Sequence, residues 1–352
     1  MNNLSEYGWN DYWFSQQISS PFKELLPGRI SVTHKTCYDV ITEEGFCTCE
    51  LTGKMLYGRE PSEYPCTGDW VLLQNNGDAK GIIVELLPRQ KTLYRLKTGT
   101  NSEKQAIASN IDKGMVVQSL DHNFSVRRLE RFILQLADEN IQPVLVLTKS
   151  DLGYQKSKVE NTLKHLSDRI PVFFTSIHSP ESIDEFRKSI NPGETVVFTG
   201  PSGVGKSTMI NALCQQEILA TNTISNANKK GKHTSTRREM VLMPGGGILI
   251  DTPGVKLFGV TNQDTGMLTE VLDIDNYASR CKFKDCQHIN EKGCAVIKAV
   301  ERGEIDNGTY QSFLKLRKEA WHYTSSVHEK RKKEKSMARM VKEVKNRPFK
   351  KY

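Results

Sequence analysis

From residue 28 to about residue 90, apolar and polar positions alternate in five short runs separated by glycine-bearing turns. The runs are Arg29–Val32, Tyr38–Ile41, Phe46–Leu51, Asp69–Leu73 and Gly81–Leu86. A period of two places successive side chains on opposite faces, so each run reads as a half-buried strand and the segment as a small β domain. Five such strands suit an OB-type barrel, and the pattern alone also allows an SH3-like barrel. Further along, alternation gives way to short, almost wholly apolar runs: Val144–Leu147, Pro171–Phe174, Thr195–Thr199 and Ile248–Ile250. Strands covered on both faces have this character, which predicts an α/β sheet. Met209–Leu213 continues as a helix after the third run. Ahead of the β domain, Tyr7, Trp9, Tyr12, Trp13 and Phe14 predict a packing helix. Tyr310 to about Val344, free of Pro and Gly, predicts a helical end.

The polar residues that follow the apolar runs carry the chemistry. Gly200-Pro201-Ser202-Gly203-Val204-Gly205-Lys206-Ser207-Thr208 matches G-x-x-x-x-G-K-[ST], between a strand and a helix. Glycines let backbone N–H groups turn inward around phosphates, and the helix behind presents its positive end. Lys206 is expected to reach the β- and γ-phosphates, and the Ser207 hydroxyl to ligate Mg²⁺. Asp251-Thr252-Pro253-Gly254 follows the last apolar run. Asp251 is expected to hold Mg²⁺ through water, and the Gly254 N–H to sense the γ-phosphate. Thr148-Lys149-Ser150-Asp151 ends the first run. Asp151 can accept hydrogen bonds from guanine N1–H and the 2-amino group, which adenine does not offer, with Lys149 over the base. Asn is the usual first residue there, so Thr148 is a departure expected to loosen the site. Thr175-Ser176, after Pro171–Phe174, supply a second guanine-contacting loop.

The base reader precedes the phosphate loop, which reverses the ordinary order and marks a circularly permuted GTPase. Permutation leaves such a site intact, because ligands bind at the carboxyl ends of parallel strands whatever the chain order. Between the phosphate loop and Asp251 lies Lys229–Arg238, all charge, hydroxyls and glycine without an apolar residue. Thr234 first, and Thr236 second, are candidates to complete the Mg²⁺ shell. Val255 follows Gly254 where many GTPases place a water-orienting Gln, so His233 becomes the local candidate for that task.

Downstream, Cys281-x₄-Cys286-x-His288-x₅-Cys294 puts four soft ligands within fourteen residues. Such a set can close a tetrahedral Cys₃His zinc site, structural because no position stays open for water. Cys37, Cys47, Cys49 and Cys66 read instead as small buried thiols, with Cys47 and Cys49 on one face of a strand.

The motif order, the Gly231-Lys232-His233-Thr234-Ser235-Thr236 loop and the cysteine cluster together resemble the ribosome small-subunit-dependent GTPase family, RsgA or YjeQ. The resemblance runs over roughly residues 28 to 315. It implies a late maturation factor of the small ribosomal subunit whose hydrolysis of GTP to GDP and phosphate the subunit stimulates. It also implies the OB form of the barrel and zinc at the cysteine cluster. The expected architecture is multidomain α/β: an N-terminal extension (1–27), an OB-fold β-barrel (28–94), a circularly permuted P-loop GTPase domain (95–265), and a zinc-binding helical domain with a basic C-terminal tail (266–352).

Composition adjusts this picture in three places. The net charge is +8 over 352 residues. From His328 to Tyr352 there are eleven Lys or Arg against three Glu, a surplus of eight, so the excess belongs to the tail. On a ribosomal factor such a tail is expected to contact rRNA phosphates without reading sequence. No run of about twenty apolar residues exists to span a membrane, and the start lacks the layout of a signal peptide. The eight cysteines form no evenly spaced framework, so a reducing cytoplasm is expected; the protein is also expected to be a monomer. Two rival readings are a P-loop ATPase or small-molecule kinase, and a zinc-dependent RNA-binding module with a vestigial nucleotide site. Asp151 and the permuted order oppose the first; intact Lys206, Ser207, Asp251 and Asp151 oppose the second.

Overall fold

In a computed structural model, the residues described are 3–56, 60–96, 104–122, 124–152, 156–219, 239–252, 274–283, 286–305 and, within 307–314, all but 309 and 312. The chain divides into two compact units, residues 1–258 and residues 259–352.

The alternating runs at the start of the first unit become β1 (Leu26–Thr33), β2 (Tyr38–Thr42), β3 (Gly45–Leu51), β4 (Trp70–Asn75) and β5 (Lys80–Leu86). On β3 the pleat sends Cys47, Cys49 and Leu51 inward and leaves Phe46, Thr48 and Glu50 exposed. The inward residues meet Ile30, Val40, Val71, Leu73 and Ile83 in one apolar core. Neighbours run β1-β2-β3-β5-β4, and β4 pairs back onto β1 to close the barrel. β3 and β5 are parallel and the other barrel pairs antiparallel. This is the expected OB-type closure, with short α2 (Gly53–Leu56) after β3.

The aromatic start forms two pieces rather than one helix. A 3₁₀ turn, Leu4–Tyr7, ends at Gly8, whose φ of +86° lets the chain reverse. Helix α1 (Asp11–Ser19) then begins at Asn10, whose side chain accepts from the Tyr12 and Trp13 N–H groups. Trp9 and Trp13 pack on Trp70 of the barrel, at ring separations of 4.7 and 6.0 Å. Tyr12 and Phe14, expected in the same packing face, point outward.

A two-stranded hairpin, β6 (Thr92–Leu96) and β7 (Lys104–Ser109), leads into the second sheet. Its strands are β8 (Lys113–Ser119), β9 (Gln142–Thr148), β10 (Val172–Phe174), β11 (Thr195–Thr199), β12 (Glu239–Leu242) and β13 (Ile248–Asp251). They lie in the order β10-β9-β8-β11-β13-β12. All neighbours are parallel except β12, which runs antiparallel beside β13. The sheet is flanked by α3 (Val126–Asp138), α4 (Lys156–Ser167), α5 (Pro180–Lys188) and α6 (Lys206–Cys214). Helix α3 shows how the pattern works: Leu129, Phe132, Ile133 and Leu136 recur at helical spacing and are all buried. Five parallel strands bring the loops after β8, β9, β10, β11 and β13 to one edge, and the motifs sit in the last four.

β12 also pairs with β1 of the barrel, Val32 opposite Glu239, so the two sheets are continuous. At the junction Arg29 is fully buried and donates to the carbonyls of Tyr7, Gly68 and Asn110 and to the Thr195 hydroxyl. The second unit holds the short helices Asp275–Ala278 and Ala295–Glu301 around the cysteine cluster. Among the described residues no helix is long and apolar enough to cross a membrane.

Candidate functional site

The phosphate loop begins where β11 meets Gly200. Its φ is +147°, and a Cβ there would lie 2.2 Å from the Val117 carbonyl oxygen on β8, so only glycine fits. The loop ends at Gly205, φ +95°, which leads into α6. Lys206 curls back over its own loop, its ammonium donating to the Gly200 and Pro201 carbonyls at 2.9 and 2.8 Å. Burial pushes its pKa down, and the nearby Asp251 carboxylate works in the other direction. A phosphate oxygen offers a charge-assisted bond that displaces such neutral carbonyl partners.

Asp251 closes β13 opposite this loop. The Ser207 hydroxyl donates to its Oδ2 at 3.2 Å. The other carboxylate oxygen, Oδ1, is buried with no hydrogen-bond partner among the described residues. Burial raises the Asp251 pKa, with Lys206 opposing. A buried orphan carboxylate oxygen beside a hydroxyl is a poor resting arrangement for a protein alone. It is a suitable one for a hard divalent cation with oxygen ligands, so the residues present fit Mg²⁺. The Thr252 hydroxyl donates to the Phe198 carbonyl at 2.6 Å, tying this strand end to β11. His233, Thr234, Thr236, Gly254 and Val255 lie outside the described residues.

Between the ends of β9 and β10 and the start of α6 lies a cavity of about 250 Å³, lined by Thr148, Lys149, Asp151, Thr175 and Thr208 among others. The strand ends are held together by Ser150 N–H donating to the Thr175 carbonyl at 3.2 Å. The Ser176 hydroxyl donates to Asp151 Oδ1, and this bond is the main reason the Asp151 pKa lies below its ordinary value. Asp151 is thereby kept ionised, an acceptor-only group suited to the donor edge of guanine. Thr148 does not loosen the loop. Its buried hydroxyl donates to the Val204 carbonyl at 2.6 Å, tying the Thr148–Asp151 segment directly to the Gly200–Thr208 loop. Lys149, in the left-handed region at φ +58°, pairs with Asp121 at 2.9 Å and reaches the Gly203 carbonyl at 3.4 Å.

Leu152, Ile177 and His178 also line the cavity, outside the residues that the motifs mark. Leu152 and Ile177 are more than half exposed, which offers apolar surface to a flat ring. The available signal was an apolar residue directly after each polar motif.

In the second unit, Cys281, Cys286, His288 and Cys294 turn one donor atom each into a space where all lie within 4.8 Å of one another. Cys281 Sγ is 3.5 Å from His288 Nδ1 and 3.8 Å from Cys294 Sγ, and His288 Nδ1 is 3.4 Å from Cys294 Sγ. A tetrahedron with metal–sulfur bonds of about 2.3 Å has edges of roughly 3.7 Å, so the donor set fits zinc. Backbone N–H groups of Ala295 and Ile297 point at Cys281 and Cys294 sulfurs, a polarisation suited to thiolates. The Glu291 carboxylate accepts from the N–H groups of Gln287, Ile289 and Asn290 and braces the ligand loop. The remaining cysteines carry free thiols; Cys47, Cys49 and Cys66 are buried and Cys37 is half-buried, while Cys214 on α6 joins the buried set.

Comparison with known proteins adds independent findings. A family model described as RsgA GTPase matches residues 86–261, and one described as 50S ribosome-binding GTPase matches residues 195–348. A protein of Bacteroides thetaiotaomicron named small ribosomal subunit biogenesis GTPase RsgA 1 is 57% identical over 346 residues, covering 98% of each chain. A Leptospira interrogans protein named small ribosomal subunit biogenesis GTPase RsgA is 35% identical over 346 residues, covering 96% of this chain and 95% of its own. The fold is similar to the crystal structure of YjeQ from Thermotoga maritima, with a TM-score of 0.63 and 24% identity over 84% of this chain and 98% of that one. It is also similar to YloQ, a circularly permuted GTPase, with a TM-score of 0.61 and 23% identity over 86% and 97%.

Proposed function

This chain belongs to the RsgA GTPase family, and on that footing we propose that it binds the small ribosomal subunit and acts late in that subunit's biogenesis. It is a GTP hydrolase. The observation that carries the reading is the meeting of Asp151, Lys206, Ser207 and Asp251 at the carboxyl edge of one parallel sheet, although the chain supplies them in permuted order. In this reading the phosphate loop, Gly200 to Thr208, wraps the phosphates, and Lys206 leaves its two carbonyls for the β- and γ-phosphates. Thr148–Asp151 with Thr175 and Ser176 hold guanine. Ser207, Thr234 and Asp251 would hold Mg²⁺, the last through water, and the bound ion would supply positive charge against the phosphates. His233 orients the water that attacks the γ-phosphorus as the bridging bond to the β-phosphate breaks, giving GDP and phosphate. Gly254 senses the γ-phosphate.

Cys281, Cys286, His288 and Cys294 hold one structural zinc ion. The basic tail contacts rRNA, and the protein works as a cytoplasmic monomer. Its parts are the extension 1–27, the barrel 28–94, the GTPase domain 95–265 and the zinc domain 266–352. The chain runs from the Asp251–Gly254 switch directly into that last part, so loss of the γ-phosphate shifts its grip on RNA.

GTP hydrolysis by the purified protein, with small and large subunits added separately, tests the reading. Stimulation by the small subunit is expected. Stimulation by the large subunit alone would favour instead the partial match over residues 195–348, whose description names the 50S particle.

A further inference from the structure

We propose that Asp121, which lies outside every motif in the chain, is a positioning residue for the nucleotide base. Its carboxylate fixes Lys149 against the wall of the base cavity and keeps that lysine off Asp151. The inference rests on the reading of that cavity as the guanine site.

Asp121 sits two residues beyond β8. Ser119 at the end of β8 is paired with Thr148, and Leu120 N–H donates to the Thr148 carbonyl at 2.8 Å. Phe124 N–H donates to the Asp121 carbonyl at 2.9 Å. Gln118 grips the far side of the turn, accepting from Ser125 N–H at 2.6 Å and donating to the Ser125 carbonyl at 3.2 Å. These bonds tie the backbone on both sides of Asp121 to β9 and to Gln118, and so limit where its side chain can start. The carboxylate meets the Lys149 ammonium at 2.9 Å, with 14% of the aspartate and 28% of the lysine side chain exposed. Screening by water is reduced at such a pair, which separates it from an ordinary surface ion pair.

The second hold on Lys149 is the Gly203 carbonyl, at 3.4 Å. The lysine stem is thus stretched between a fixed carboxylate and the phosphate loop, from a backbone already in the left-handed region. A side chain held at its far end has lost its rotamer entropy before the nucleotide arrives, and that favours binding. The charge of Lys149 also reaches Asp151. Without Asp121, the ammonium is free to swing toward that carboxylate and mask the acceptor that guanine needs.

Binding of a fluorescent GDP analogue to the full-length protein tests this, with Asp121→Ala, Asp121→Asn, Lys149→Ala and the double variant Asp121→Ala/Lys149→Ala. Asp121→Ala is expected to weaken binding about 10-fold, the scale of losing a hydrogen bond to a charged group. Asp121→Asn keeps an acceptor and should lose less. In the Lys149→Ala background, Asp121→Ala should cause almost no further loss, a non-additivity that a merely structural role does not produce. Preference for GDP over inosine diphosphate, which lacks the 2-amino group, should fall in Asp121→Ala and recover in the double variant. Additive losses, or full affinity in a folded Asp121→Ala protein, overturn the proposal; if that variant does not fold, Asp121→Asn carries the same comparison. Asp151→Asn serves as the control. Should it leave guanine preference intact, the base-site reading itself fails; should it shift preference to xanthine while Asp121→Ala changes nothing, only the role of Asp121 fails.

Discussion

Thr148 has one hydroxyl proton and gives it to the Val204 carbonyl at 2.6 Å, inside a nearly closed environment. Thr148→Val keeps the shape and removes the donor, leaving that carbonyl buried and unpaired. Release of GDP in a stopped-flow experiment should speed up about 5- to 10-fold, matching the cost of one buried bond, and the melting temperature of the nucleotide-free protein should fall modestly. Asp251 poses the opposite balance. Burial raises its folded pKa above the unfolded value, so above the carboxylate range the native state carries a charge it solvates poorly. That cost disappears as pH falls through the folded pKa. Asp251→Asn should therefore raise the melting temperature of the nucleotide-free protein at pH 8, with the gain shrinking towards pH 5. The same change should cut GTP hydrolysis at least about 100-fold, the usual scale for removing a designed electrostatic contact. A variant less stable than the parent at pH 8 would mean the carboxylate stabilises the apo fold.

At the scale of elements, patterning marks most of the strands but not β6, β7, β8 or β12. The five barrel strands and β9, β10, β11 and β13 coincide with their apolar runs to within a few residues. β8 escaped because its last two residues, Gln118 and Ser119, are polar yet buried, which shortens the apolar signal to a few positions. The long-range ties were also invisible. Asp121 and Lys149 are 28 residues apart, and only the register of β8 on β9 brings them together. The loop that carries Cys281, Cys286, His288 and Cys294 divides the same way. Its ligands announce themselves by residue type, whereas Glu291 looks like any surface acid. In the fold, burial pushes the Glu291 pKa up, and backbone N–H bonds outweigh it to leave a value of about 2. Cys286→Ser should release zinc and loosen residues 275–300, while the first unit still binds GDP. Metal analysis by mass spectrometry checks this, and stoichiometric zinc in the variant would mean the ligand set is another one.

For the first unit as a whole, the decisive contact is Arg29, where the extension, the barrel and the GTPase sheet meet. Its guanidinium holds the carbonyls of Tyr7, Gly68 and Asn110 and the Thr195 hydroxyl, and lies 5.3 Å from the Trp70 ring. Burial lowers its pKa to about 10, with Asp112 and Asp69 opposing, so it stays charged at neutral pH. Thr195 opens β11, the strand that ends at the phosphate loop. Barrel and GTPase sheet should consequently unfold together. Arg29→Met fills much of the volume but leaves the acceptors unpaired, and should cost about 2–4 kcal/mol. Arg29→Lys should rescue little, because one ammonium cannot satisfy acceptors arranged for a planar fork. Urea unfolding followed by tryptophan fluorescence, in a Trp321→Phe background, reports on Trp9, Trp13 and Trp70 at the junction. Release of a fluorescent GDP analogue reports on the sheet's opposite edge. In the parent the two transitions should coincide, the mark of one cooperative unit. In Arg29→Met the tryptophan signal should move to lower urea and separate from nucleotide release, since Thr195 and the phosphate loop lie at opposite ends of β11. Coincident transitions at an unchanged midpoint would show that the β1–β12 pairing joins the two sheets without Arg29.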